Sequence, residues 1–78
     1  MLDKQGILDG IECIKYTYSF IEDREPLEYV EIIYTIIFIY KGIHLAMYQE
    51  EFNYDKSKVI ETLAFILEDI ERIKEELA

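Results

Sequence analysis

His44 is the only histidine of the chain, and Cys13 is its only cysteine; seven tyrosines complete the set of versatile side chains. A histidine can act as a general base or bind a metal. Helical carboxylate metal sites place a glutamate three residues before the histidine, and here that position is Lys41. His44 is therefore read as a hydrogen-bonded structural residue. Cys13 has Lys15 as its only close cation and no histidine near it in sequence, so nothing local favours its thiolate. It is expected to be a small buried hydrophobe, and one cysteine cannot form an intrachain disulfide. No serine nucleophile motif, phosphate-cradling glycine loop or zinc spacing occurs. The expectation is a protein that is not an enzyme, with no catalytic residue, metal ligand or cofactor.

Tyr29, Tyr40 and Tyr48 recur at helical intervals, with His44 between the last two. Such rings can wall a pocket for a flat ligand, so Tyr29, Tyr40, His44 and Tyr48 form the alternative reading, a small-molecule site between subunits. The favoured reading is that the rings edge a core and send their hydroxyls to water. Acidic residues gather at the expected loops as Glu22, Asp23, Glu25, Glu50 and Glu51. A run of this kind is ordinarily a solvated surface; as a site, it would be an acidic surface for a partner.

These residues must be positioned by helices. Ile7, Ile11, Ile14, Tyr18 and Ile21 follow steps of four and three, the spacing of one helical face. Gly6 and Gly10 weaken that helix, which suggests a frayed start with Asp9 as cap. Glu25 precedes Pro26 and is biased out of the helical region, while Pro26 suits a first helical position. Wound as a helix, the stretch from Pro26 to Gln49 is apolar on nearly every side. Val59, Leu63, Ile66, Ile70, Ile73 and Leu77 form the most regular stripe, with Glu68–Arg72 and Glu71–Lys74 at favourable pair spacings. The architecture read from these patterns is all-α: three antiparallel helices over Leu2–Glu22, Pro26–Glu51 and Ser57–Leu77. The alternative is a small antiparallel sheet packed by a C-terminal helix, because Ile32–Tyr40 is rich in β-branched and aromatic residues.

Seventy-eight residues make one helical domain, residues 1–78, near the lower limit of a self-sufficient core. A formal net charge of -9 argues against nucleic acid or anionic membrane as partners. A membrane span over Ile32–Gln49 is disfavoured by Lys41 near its centre and by its length. The amino terminus lacks the layout of a signal peptide, and a cytoplasmic setting is expected.

The middle helix has more apolar surface than two neighbours can cover. A homodimer, or a higher even oligomer, is the expected remedy, with Ile33, Ile36, Ile37, Tyr40, Leu63, Ile66 and Ile70 at the interface. The function expected is a non-enzymatic protein-interaction module: a small acidic regulator, inhibitor or subunit, engaging a basic nucleic-acid-binding surface of another protein.

Overall fold

The computed structural model describes residues 2–21 and 25–78, with Pro26 and Leu27 described in backbone only. Three α-helices follow one another: α1 over Lys4–Tyr18, α2 over Pro26–Tyr48 and α3 over Val59–Leu77. A 3-10 turn over Lys56–Lys58 leads into α3. No strand occurs among the described residues, so the sheet alternative is overturned. The β-branched run after Glu31 is helical because its neighbours offer helical faces to pack on, and tertiary burial overrides a weak local preference.

The helix ends follow local chemistry. Asp3, not Asp9, caps α1: its carboxylate accepts from the Gly6 amide at 2.8 Å, and the helix begins at Lys4 instead of fraying through the glycines. Pro26 opens α2 as expected, after an extended Glu25. The helix stops where Gln49 turns left-handed at φ 54°, the one positive-φ residue other than glycine among those described, and its amide bonds the Leu45 carbonyl at 2.9 Å. Asp55 holds the entry to α3, accepting from the amide and hydroxyl of Ser57 at 2.9 and 2.8 Å.

Packing follows the stripes. Ile7, Ile11 and Ile14 of α1 meet Ile33, Ile36, Ile37, Tyr40 and Ile43 of α2 and Leu63, Ile66, Ile70 and Ile73 of α3 in one buried cluster. α1 and α2 are antiparallel: Leu2 lies by Gly42, and Gly10 lies by Ile39 and Ile43. Further along, Thr17 and Phe20 share a hollow with Glu28, Glu31, Ile32 and Thr35. A Cβ at Gly10 would sit 3.0 Å from Ile43 Cδ1, so this glycine lets the two backbones close. Ile43 is fully buried and has nowhere to retreat. Gly10→Val is expected to cost about 1–3 kcal/mol by overpacking, measured as a lower urea midpoint. An unchanged or raised midpoint would show that the crossing tolerates a side chain.

α3 departs from the antiparallel expectation. The segment after Gln49 runs back along α2, bringing Phe52 to 4.9 Å from the Tyr40 ring and Lys41 to 5.9 Å from the Tyr54 ring. Consequently α3 meets α2 in chain order, Phe65 beside Tyr40 and Arg72 beside Tyr48. It meets α1 in reverse order through Lys15–Glu71 at 2.6 Å and Lys74–Glu12 at 3.5 Å. A connection of this length can double back, so the rule that short links make antiparallel neighbours does not apply. The α3 charges accordingly pair differently from the expected spacings: Arg72 pairs with Asp69 and Glu76, and Lys74 reaches across to α1. Cys13 also departs from expectation, being exposed on α1. By length and composition alone, Glu28–Tyr48 could cross a membrane.

Candidate functional site

α2 presents two faces that carry everything distinctive about the molecule. The inner face ends in a polar cluster built across the α2–α3 contact. Tyr40, fully buried, donates its hydroxyl to Asp69 Oδ2 at 2.5 Å. Tyr48, two turns later on the same side, donates to Asp69 at 3.0 and 3.1 Å to the two carboxylate oxygens. Arg72, one turn beyond Asp69 on α3, donates both to Asp69 and to the Tyr48 hydroxyl. Asp69 is 6% exposed, whereas the Arg72 side chain is half in water.

The electrostatics follow from that geometry. Burial pushes the Asp69 carboxyl upward, but the hydrogen bonds from Tyr40, Arg72 and Tyr48 outweigh it and hold the group below its ordinary value. The Tyr40 phenol is raised far above the ordinary range, first by burial and then by its bond to Asp69. Tyr48 is raised for the same two reasons, and Arg72 is raised chiefly by its bond to Asp69. The cluster thus holds an anion, two neutral phenols and a cation, each bonded to another. Among the described residues no buried side-chain polar atom lacks a partner. His44 lies beside the cluster, 4.7 Å from the Tyr48 ring and 5.3 Å from Phe52. Its Nδ1 meets the Glu50 carbonyl at 2.8 Å and must donate there, since a carbonyl only accepts.

Of the alternative pocket residues, Tyr40, His44 and Tyr48 come together, but their rings pack on one another and on Phe52. Tyr29 lies about 16 Å away along the helix from Tyr40, at 1.5 Å per residue. Asp69 carries no expectation from the sequence, and Arg72 pairs with it where the spacing pointed to Glu68. The legible signal was an acid inside the apolar arc of α3, between Ile66 and Ile70. Among the described residues no group of three or more His, Cys, Asp and Glu could hold a metal ion.

The outer face of α2 is apolar and uncovered. Phe38 is 79% exposed, Leu45 44%, Tyr34 41% and Val30 37%. Beside Phe38 lies a hollow of about 570 Å³ lined by Leu2, Phe38, Ile39, Gly42 and Leu45 together with the charged Lys41 and Glu51. Gly42 forms part of the hollow as an exposed mid-helix glycine, and a Cβ there would meet only Leu2 Cδ1, at an ordinary 3.9 Å.

The residues expected at a dimer interface, Ile33, Ile36, Ile37, Tyr40, Leu63, Ile66 and Ile70, all face inward and build the core of a single chain. The apolar surface left over is a different set. Of the acidic residues, Glu22 and Asp23 lie outside the described residues, while Glu25, Glu50 and Glu51 are exposed. Glu25 stands before the first residue of α2 and Glu50 and Glu51 follow its last turn, so most of the length of the helix separates them and these three do not make one patch.

Comparison of the chain with family models, curated proteins and solved structures returns no match.

Proposed function

We propose that the protein is a non-enzymatic interaction module, a small acidic subunit or regulator that works by seating the outer face of α2 on another polypeptide. The observation that carries this reading is the run of Val30, Tyr34, Phe38 and Leu45 left in water, the last two lining a largely apolar hollow. An aromatic ring as open as Phe38 forfeits about 1.5–3 kcal/mol of burial, a large loss for a domain this small. Aromatic side chains beside apolar hollows are also the usual anchors of protein interfaces. The net charge of -9 keeps the surface away from phosphates and would steer it towards neutral or basic protein. The reading of a ligand site around Tyr40, His44 and Tyr48 has less support, because those rings satisfy and cover one another.

The test is co-purification from native cells with tagged wild-type protein and tagged Phe38→Asp, both checked for helical circular dichroism. Polypeptides retained by the wild type, untagged copies of the chain included, are expected to fall by about tenfold or more with the variant. Equal recovery by two folded proteins would overturn the reading.

A further inference from the structure

We propose that the occupant of the outer α2 face is a second copy of this chain, packed antiparallel about a twofold axis at the level of Tyr40. This rests on the interaction-module reading and names its partner. A twofold contact needs a surface that is its own complement, and this face carries a projection and a hollow one helical turn apart. Phe38 projects, and the hollow lies over Gly42. Rotating a copy about an axis midway between them seats each Phe38 over the other copy's Gly42. The same rotation brings each Tyr34 level with the other copy's Leu45 and Ala46.

Gly42 is the independent indication. No positive φ requires glycine there, and within the chain a side chain would meet only ordinary contact with Leu2. Gly10 is explained by Ile43 and the α1–α2 crossing, whereas Gly42 has no such explanation inside one chain. A glycine exposed in the middle of an apolar helix face lets a foreign side chain reach the backbone.

Area agrees with the choice, and the apolar stripe itself is free of the acidic residues that give each copy its repulsive charge of -9. With an aromatic side chain at about 150–250 Å², the exposed parts of Phe38 and Tyr34 offer about 180–300 Å². Val30, Leu45 and Leu2, each about two-fifths exposed, bring the face to the order of 500 Å² per copy. Doubled, this reaches the roughly 1,000 Å² at which specific interfaces begin, so the dimer belongs to the weak class. From Tyr34 to Leu45 the stripe has no acidic residue and one cation, Lys41. A basic partner helix would find no acidic residue along that stretch, whereas a second copy brings the same largely apolar, acid-free stripe.

Sedimentation equilibrium of the purified chain, from low micromolar to near-millimolar concentration and at low and high salt, tests the assignment. The wild type is expected to dimerise, more tightly at high salt, because each copy carries -9 and screening relieves the repulsion. Phe38→Gln removes the projection, and Gly42→Gln fills the hollow with a better helix former. Both are expected to stay helical by circular dichroism and to dimerise about tenfold or more weakly. A wild type that stays monomeric throughout overturns the proposal, as does a dimer that two folded variants leave unchanged. A monomer whose Phe38→Asp variant still loses a different polypeptide in the co-purification would sink this proposal alone. Unaltered recovery there would sink the interaction reading itself.

Discussion

Tyr40→Ala is expected to leave the chain largely unfolded at ambient temperature, while Tyr40→Phe folds with stability lowered by about 1–3 kcal/mol. Tyr40 is fully buried at the α2–α3 contact, its ring meeting His44, Phe52 and Phe65 edge-on. Truncating a buried aromatic ring costs about 3–5 kcal/mol, and a core of this size rarely supplies more than about 3–5 kcal/mol in total. The alanine variant also strips the Asp69 carboxylate of its fully buried donor in a place water reaches poorly. The phenylalanine variant isolates that second effect, since it keeps the ring and removes only the hydroxyl. Urea unfolding followed by circular dichroism measures both. A Tyr40→Ala protein within about 1 kcal/mol of wild type would mean that the segment from Phe52 to Tyr54 collapses into the space, and that Tyr40 is not the centre of the fold.

What could be read in the sequence depended on contrast within each helix. Ile7, Ile11 and Ile14, and again Leu63, Ile66, Ile70 and Ile73, stand among polar neighbours, so their spacing alone marks the buried side. Pro26 fixed a boundary for a reason internal to its own ring. α2 lacks that contrast. With isoleucine at positions 32, 33, 36, 37, 39 and 43 and Phe38 among them, no local feature says which of them meet α1 and α3. The neighbours decide it, and the residues assigned to an interface became the core, leaving Phe38, Tyr34 and Leu45 outside. The course of the connection to α3 is illegible in the sequence for a related reason. Phe52 and Tyr54 alternate with polar residues in a short stretch that looks like a solvated turn, yet the two rings fold back on α2 and redirect α3. Asp69 was hidden because an acid is ordinarily placed on the wet face. Besides its neighbour Arg72, it is the α2 tyrosines, twenty-one and twenty-nine residues away in sequence, that make its burial affordable.

Asp69 should also leave a mark on the acid limb of stability. Its carboxyl is held below the ordinary value in the fold, so the folded state favours the ionised form more than the unfolded chain does. The stabilisation is fully present above the unfolded carboxylate value of about 3.9 and disappears as pH falls through the lower folded value. Other carboxylates titrate in the same range: Asp55 is lowered by its bonds to Ser57, and Glu71 by its bond to Lys15. Loss of negative charge from a chain at -9 also relieves repulsion, which acts in the opposite direction. The absolute pH profile is therefore a mixture, and the informative quantity is the difference between wild type and Asp69→Asn. The amide keeps the size of the side chain but turns a donor towards Tyr48 and Arg72, which are themselves donating. At neutral pH the variant is expected to be less stable by about 1–3 kcal/mol. That gap should stay level down to about pH 5 and close below about pH 4, as wild-type Asp69 takes up a proton and loses what the variant has already lost. Urea unfolding of both proteins across that range reads it directly. If the gap instead stays constant into the acid, Asp69 does not owe its place to ionisation, and the cluster is held by the ring packing of Tyr40 and Tyr48 alone.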